Sequence, residues 1–261
     1  MESLKFKNVK YKNVLNDLSF KVEKNDFLTV IGLNGSGKST IVKILMGLLE
    51  FQGMILIDDI ALNDNTLNVT DRKISFAVND LDELILAETV FDELAFPLEN
   101  LGKVPAHINK LVHEVAERLQ IENLLYKKPL ELNFEEKKIV SFAASIISKP
   151  DILVLDNIIE GLSYNNRKKI IDILLEYKDK ITIVNFTTNS EESLLGNKVA
   201  ILDKGKIVCL KKLNDFYKET DEISKYIELP FSVDLSNRLK FYDLTDKLYF
   251  DLEKLVNDLW K

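Results

Sequence analysis

The stretch GLNGSGKST, residues 32–40, limits most narrowly what this chain can fold into. It follows the apolar run FLTVI and precedes the apolar-periodic run IVKILMGLL, so the pattern Gly-x-x-x-x-Gly-Lys-Ser/Thr lies between a predicted strand and a predicted helix. Glycines let such a loop bend until backbone amides and the helix N-terminus face an anion. The stretch therefore predicts a phosphate-binding loop (P-loop). The residues predicted to bind nucleotide in it are Gly32, Asn34, Gly35, Ser36, Gly37, Lys38, Ser39 and Thr40.

The rest of the chain alternates strand-like and helix-like patterns, which predicts an α/β fold. The clearest helix pattern is the apolar face formed by Ile108, Leu111, Val112, Val115 and Leu119. The runs predicted as strands cover residues 4–9, 18–22, 27–31, 54–57, 73–78, 151–155, 181–186, 198–202 and 206–210.

The charge pattern argues against a nucleic-acid partner. The 261-residue chain has a formal net charge of -7, and its few arginines are scattered, whereas a surface that follows a phosphate backbone is basic. No run approaches the roughly 20 apolar residues that cross a bilayer, and the first residues lack the apolar centre of a signal peptide. We expect His107 and His113 to be surface residues rather than metal ligands, and Cys209 to be a buried thiol in a strand.

Four further stretches carry a family resemblance. With the P-loop, they resemble the ATP-binding cassette (ABC) ATPases, and within them the ATPase subunits of energy-coupling-factor importers. Pro97 stands where that subfamily usually has glycine, yet the resemblance covers nearly the whole chain. The stretches are LILAETVFDELAFPLENLG (84–102), KPDILVLD (149–156), VAILDKGKIV (199–208) and IELPFSVDLSNRLK (227–240).

The resemblance implies an architecture and two ligands. It implies a cassette over residues 1–214, with a RecA-like core, an antiparallel β subdomain and a helical subdomain at about 88–148. A helical extension over residues 215–261 would follow as a possible dimerisation region. The implied ligands are ATP and Mg²⁺. Lys38 would reach the β- and γ-phosphates. The residues that would hold the metal are Ser39, Asn79 and Asp156.

The catalytic positions depart from the family pattern. Asn79 stands for the glutamine that senses the γ-phosphate, Asn157 for the catalytic carboxylate and Thr188 for the switch histidine, and the loop that normally ends in aspartate ends in Ser163. General-base catalysis contributes roughly 100- to 10,000-fold, so we expect nucleotide to bind but to be hydrolysed very slowly. Glu160 is an alternative base, although its spacing and direction would both have to change.

The signature motif LSGGQ of the family is also replaced. Its positions are occupied by Leu132, Asn133, Phe134, Glu135 and Glu136, which in family dimers face the nucleotide held by the partner cassette. Two interpretations of the glutamates remain open. Their charge could repel the partner's phosphates, or they could face solvent at the start of a helix, where negative charge is favourable.

Three contacts are less clearly indicated. Tyr11 is a candidate to stack on adenine, although strict alignment puts Asn13 at that position and an edge-strand role is equally consistent. The segment 79–96, with Leu84, Ile85, Leu86, Val90 and Phe91, could contact a membrane subunit or simply pack in the helical subdomain. The apolar stripe Leu248, Leu252, Leu255, Val256 and Leu259, followed by Trp260, could pack on its own cassette or on the partner ATPase.

The resemblance finally implies the cellular setting. We expect an ATP-binding subunit of an importer for a vitamin or a transition-metal ion, which forms a heterodimer with a second ABC ATPase. Its other partners would be a transmembrane coupling subunit and a substrate-binding membrane subunit, at the cytoplasmic face of the cell membrane. The alternative is a soluble ATP-sensing regulatory or adaptor cassette that is not engaged in transport.

Overall fold

The chain folds into two β-sheets with intervening helices. The computed structural model describes residues 2–70, 73–79 and 87–259. The strands are β1 (Glu2–Tyr11), β2 (Leu15–Glu23), β3 (Phe27–Ile31), β4 (Gln52–Ile57), β5 (Ile60–Ala61), β6 (Ile74–Val78), β7 (Ile152–Asp156), β8 (Thr182–Thr187), β9 (Lys198–Asp203) and β10 (Lys206–Lys212). The helices are α1 (Lys38–Leu45), α2 (Leu67–Thr70), α3 (Val90–Asn100), α4 (Pro105–Leu119), α5 (Phe134–Ile147), α6 (Tyr164–Tyr177), α7 (Leu213–Phe216), α8 (Thr220–Ile223), α9 (Phe231–Phe241) and α10 (Leu252–Leu259). Short 3-10 helices span Glu122–Leu124, Pro129–Glu131 and Ser190–Leu195.

The larger sheet positions the P-loop. Its strand order is β10-β9-β3-β8-β7-β6, and β9, β3, β8, β7 and β6 run parallel, while β10 is antiparallel to β9. Every residue of FLTVI in β3 and of ILVLD in β7 is buried, as expected for parallel strands covered on both faces. The α/β fold predicted from the sequence is confirmed, and each predicted strand is present with small shifts of its ends. The two-residue strand β5 was not predicted.

The smaller sheet is antiparallel, with the order β2-β1-β4-β5. Strand β2 alternates buried and exposed residues, which is the pattern of a sheet with one face on the core. Phe6 of β1 pairs with Phe20 of β2, and their rings stack with centroids 4.3 Å apart. This sheet shares a core with α1, so it covers the helix that follows the P-loop.

The helices α3, α4 and α5 lie between β6 and β7 in the chain and share a core with the larger sheet. The predicted helix is confirmed as α4. It begins with Pro105, and proline is well tolerated there because an N–H group in the first turn has no partner within the helix. Ile108, Val112 and Leu119 of its apolar face are buried. The exposed side chains of His107 and His113 confirm the surface prediction.

The C-terminal helices pack on the outer part of the larger sheet. Phe216, Tyr217 and Val233 form a buried cluster with Ile31 and Val199 of the sheet. Cys209 lies in β10 as predicted, but its side chain is half-buried rather than buried, since β10 is an edge strand. Among the described residues, no helix is both long and apolar enough to cross a membrane.

The stripe in α10 is divided between core and surface. Leu255 is buried, which agrees with packing on the chain's own fold, but Leu252 and Val256 are 42% and 47% exposed. Trp260 lies outside the described residues. The exposed half of the stripe therefore leaves contact with a partner ATPase as a prediction.

A buried glutamate lies beneath the end of β8. Glu192 is 1% exposed, and its Oε2 accepts a hydrogen bond from Asn185 Nδ2 at 2.8 Å, whereas Oε1 has no partner. Burial disfavours the charged form and raises the pKa of Glu192, while the bond from Asn185 opposes the rise. The folded chain thus holds a proton here that the unfolded chain releases at lower pH.

Glu192→Gln is expected to stabilise the fold at pH 8 by about 1 kcal/mol or more, because the amide keeps an acceptor for Asn185 and removes the buried charge. The free energy of unfolding depends on pH through the difference in protons bound by the folded and unfolded states. Above the ordinary glutamate pKa the folded state binds more protons than the unfolded state, so wild-type stability falls as pH rises through the raised pKa. Urea unfolding at several pH values measures the difference, which should vanish near pH 4. Glu117→Gln, at an exposed position of α4, is the control, and a less stable Glu192→Gln variant at pH 8 would contradict the assignment.

Candidate nucleotide site

The P-loop joins the end of β3 to the start of α1. Gly32 N–H donates to the Thr187 carbonyl at 3.1 Å, which ties the loop's first residue to the end of neighbouring β8. A cleft of about 320 Å³ opens above α1. The residues lining it are Val14, Asn34, Gly35, Gly37, Lys38, Ser39, Thr40 and Asn157. The structure thus brings most of the predicted nucleotide-binding residues to one cleft.

Glycine is required at two points of the loop. At Gly32 a Cβ atom would lie 2.5 Å from Ser36 Oγ and 2.6 Å from the Leu202 carbonyl, so no side chain fits. Gly37 has φ of 110°, a left-handed conformation that favours glycine, and directly precedes α1. The backbone can therefore approach a phosphate closely at the helix N-terminus.

The Lys38 side chain is held inside its own loop. Its Nζ donates to the carbonyl oxygens of Gly32 at 2.6 Å and of Leu33 at 3.1 Å. Burial lowers the pKa of Lys38, and the nearby Asp156 and Glu160 carboxylates oppose that shift. A cation that is stripped of water and bonded only to carbonyls is well placed to exchange these partners for phosphate oxygens.

The predicted metal ligands meet at neighbouring strand ends. Val78 is the register partner of Asp156, so Asn79 follows β6 beside the end of β7. Asn79 Oδ1 and Asp156 Oδ1 are both buried without a hydrogen-bond partner. Burial raises the pKa of Asp156, while a hydrogen bond from Ser39 and the charge of Lys38 lower it. Mg²⁺ prefers such oxygen ligands, so the residues present fit the ion.

Asn157, predicted from the resemblance to stand at the position of the catalytic carboxylate, lines the cleft. Its N–H donates to the Phe186 carbonyl at 2.9 Å, and its φ of 51° is left-handed, a region that asparagine tolerates well. Its Oδ1 is buried without a partner. An amide can orient water here, but it cannot take up a proton at neutral pH.

Thr188, at the switch position, is joined to Glu160. Thr188 Oγ1 donates to Glu160 Oε2 at 2.8 Å, which links the loops that follow β8 and β7. Glu160, the alternative base, therefore points toward the end of β8.

The replaced signature motif begins α5. Asn133 caps the helix by accepting from the Glu136 N–H at 2.9 Å, and Glu136 accepts in return from the Asn133 N–H at 2.9 Å. Leu132 is buried beneath this turn, and Phe134 is 56% exposed. The interpretation of the glutamates as helix N-terminal residues agrees with this geometry, but their side chains do not simply face solvent.

Glu135 forms a clamp between the signature turn and α6. Its Oε1 accepts from Ser163 N–H at 2.7 Å, Ser163 Oγ at 2.6 Å and Asn166 Nδ2 at 2.9 Å. The bonds from Ser163 and Asn166 lower the pKa of Glu135. In the chain by itself these hydrogen bonds therefore stabilise the charged form of Glu135.

Lys138 was missed by the sequence analysis. It is 2% exposed, its Nζ donates to the Asn157 carbonyl at 2.6 Å and to the Glu160 carbonyl, and the ammonium lies 4.7 Å from the centre of the Phe134 ring. Burial lowers its pKa, and the nearby Glu160 charge opposes this. The available signal was a lysine directly before the apolar stretch IVSFAASII of α5, one turn after Phe134.

Tyr11 lies near the cleft but does not line it. Tyr11 ends β1 and packs on the core of the smaller sheet, with Lys12 Nζ 5.0 Å from its ring, while Val14 lines the cleft. Its stacking on adenine stays a prediction.

In the segment 79–96, residues 80–86 lie outside the described part of the chain, including Leu84, Ile85 and Leu86. Val90 is buried, whereas Phe96 is 61% exposed.

Comparison with known proteins points to one family. The model for the family described as "ABC transporter" matches residues 15–160, more than half of the chain. The energy-coupling factor transporter ATP-binding protein EcfA of Pediococcus pentosaceus is 32% identical over 240 residues, which are 90% of this chain and 85% of the relative.

Solved structures share the fold. The structure of cbiO1 from Clostridium perfringens, described as part of the ABC transporter complex cbiONQ, is 24% identical with a TM-score of 0.69, covering 86% of this chain and 94% of that one. The dimeric structure of the bacterial ABC transporter cassette MJ0796 is 24% identical with a TM-score of 0.74, covering 80% and 98%. At these identities the likeness concerns the fold.

Glu135→Ala is expected to lower the free energy of unfolding by about 1 to 3 kcal/mol, because three donors at the start of α6 lose a charged acceptor. Glu135→Gln should lose less, since the amide oxygen can still accept. Urea denaturation measures both effects. Glu131→Ala, at an exposed position just before the signature turn, is the matched control. Equal stability of Glu135→Ala and the control would show that the clamp contributes nothing.

Proposed function

The chain belongs to the ATP-binding cassette ATPases of the energy-coupling-factor type, and from that premise we propose that it binds Mg-ATP tightly but hydrolyses it slowly at its own site. The observation that carries the proposal is the pairing of a complete P-loop cleft with Asn157 at the position of the base. In this role the chain serves as the ATP-binding subunit of a vitamin or transition-metal importer.

Nucleotide affinity rests on groups that are all present. The loop amides and the N-terminus of α1 face the phosphates, and Lys38 exchanges its two loop carbonyls for the β- and γ-phosphate oxygens. Ser39, Asn79 and Asp156 would hold Mg²⁺, which supplies positive charge against the phosphates when bound. None of these contacts depends on the residue at position 157.

Slow hydrolysis follows from what Asn157 and Thr188 cannot do. A carboxamide does not accept the proton of an attacking water, and a threonine hydroxyl carries no positive charge and has one donor, which Glu160 already accepts. The loss of the carboxylate at position 157 costs a factor of roughly 100 to 10,000. ATP binding and release, more than turnover, would then time the closing of the dimer.

A second cassette completes the assembly we propose. The exposed Phe134 and the clamped Glu135 occupy the positions that face a partner's nucleotide in this family. The bulk of Phe134 does not allow the close backbone approach that glycine allows. The pairing is therefore best suited to a heterodimer in which a complete partner contributes its own catalytic residues.

The proposed membrane partners are a transmembrane coupling subunit and a separate substrate-binding membrane subunit, at the cytoplasmic face of the membrane. The segment 79–96 is proposed to contact the coupling subunit, and Phe96 on α3, which is 61% exposed, is available for that contact. Co-purification with a polytopic membrane protein distinguishes this role from a soluble regulatory cassette.

Nucleotide binding and turnover should separate in the purified chain. We expect calorimetry to show Mg-ATP binding that is lost in Lys38→Ala, with turnover near background. Asn157→Glu should raise turnover about tenfold or more, short of the full effect of a base because the left-handed backbone disfavours glutamate by about 1 kcal/mol. Turnover of the wild-type chain at the rate of a complete cassette would contradict the proposal, as would an absence of binding at millimolar Mg-ATP.

The gain in ATP affinity from Mg²⁺ should shrink on acidification. The raised pKa of Asp156 means that protons compete with the metal at a higher pH than for an exposed aspartate. Between pH 8 and pH 5 the wild type should lose more Mg²⁺-dependent affinity than Asp156→Asn, in which only the protonation of ATP itself remains. Identical pH profiles from titrations with a fluorescent ATP analogue would contradict the assignment of Asp156 as a ligand.

A further inference from the structure

The loop that follows β7 is fixed at both ends by residues of α5. Lys138 Nζ donates to the carbonyl oxygens of Asn157 and Glu160, and Glu135 holds Ser163 through two hydrogen bonds. These contacts join charged side chains to backbone and hydroxyl groups, which makes them stronger than neutral hydrogen bonds. The backbone at position 160 is therefore placed by the fold and is not a freely mobile loop.

The Glu160 side chain points from this loop to the end of β8. Its Oε2 accepts from Thr188 Oγ1 at 2.8 Å. Thr188 directly follows Thr187, whose carbonyl accepts from the first residue of the P-loop, Gly32, at 3.1 Å. The Glu160 carboxylate is thus connected through Thr188 to the end of β8, which is itself bonded to the P-loop.

The surroundings of the carboxylate suit a base. The charge of Glu160 acts on the ammonium groups of both Lys38 and Lys138, so it lies within electrostatic reach of the residue that binds the γ-phosphate. A cavity of about 680 Å³, lined by Gly32, Leu33 and Thr188, lies beside the residue that donates to Glu160. Glu160 itself is exposed, which lets a captured proton leave to solvent.

We propose that Glu160, positioned by Thr188, is the carboxylate that activates the attacking water for the slow hydrolysis at this site. The inference rests on the proposed function and names the residue through which its remaining turnover proceeds. Asn157 cannot take this role, because its amide does not accept a proton.

Hydrolysis forms one bond to the γ-phosphorus and breaks one. The water oxygen forms a bond to the γ-phosphorus while the bond from that phosphorus to the β,γ-bridging oxygen breaks, and its electron pair stays on ADP. A proton of the water passes to Glu160, which releases it to solvent. The products are ADP, phosphate and one proton. Thr188 is a positioning residue, since it acts through the hydrogen bond it donates to Glu160.

The test uses single-turnover hydrolysis of radiolabelled Mg-ATP by the intact complex, in which the partner cassette's own catalytic carboxylate has been replaced. Glu160→Gln should lower the rate about tenfold or more, with unchanged nucleotide affinity, because the amide keeps the size of the side chain but not its basicity. Glu117→Gln, at an exposed position of α4, is the control for the loss of one negative charge and should not change the rate.

A double-mutant cycle tests the pairing. Thr188→Val should lower the rate constant but not the affinity, Thr188→Ser should retain the rate, and Glu160→Gln with Thr188→Val should cost no more than Glu160→Gln alone. A merely structural threonine would give additive losses and no rescue by serine. Additivity would overturn the positioning role.

The outcomes separate this inference from the proposed function. If Glu160→Gln and wild type turn over at the same rate while both bind Mg-ATP, including the case in which both rates equal the background, the role of Glu160 is overturned and the binding function stands. If the wild type binds no Mg-ATP, the proposed function fails, and the role of Glu160 fails with it.

Discussion

The alignment of parallel strand ends is the constraint on which the site depends. Because β3, β8, β7 and β6 run in one direction, the P-loop, Thr188, Asp156 and Asn79 all emerge at the same edge of the sheet. Ligands of such sheets bind outside the carboxyl ends of the strands for this reason. Residues that are far apart in the chain thereby meet at one edge of the sheet.

The second feature is a set of intramolecular bonds between α5 and the loop after β7. In a cassette whose signature is rich in glycine, that turn is free to meet a partner's phosphates. Here Glu135 and Lys138 use their charges on Ser163, Asn157 and Glu160 of the same chain. Glu135 of the replaced signature, together with Lys138, therefore stabilises the loop that follows β7 in the same chain.

In the function proposed for this chain, nucleotide binding and catalysis draw on different groups. The proposed phosphate affinity comes from backbone amides, the helix N-terminus and the buried Lys38, and none of these is the residue that follows Asp156. Proton transfer needs a base at one position and orientation. On this proposal, Asn157 and Thr188 would affect turnover far more than affinity.

The sequence by itself determined the α/β fold, the P-loop and the helix α4, because glycine spacing and apolar periodicity are local properties that a single stretch of chain displays. It also indicated that position 157 lacks a base. Only the tertiary structure decided the direction of Glu160, the clamp at Glu135 and the burial of Lys138. Each of these joins residues 19 to 31 positions apart, or at the ends of different strands, and depends on side-chain directions that no local pattern encodes.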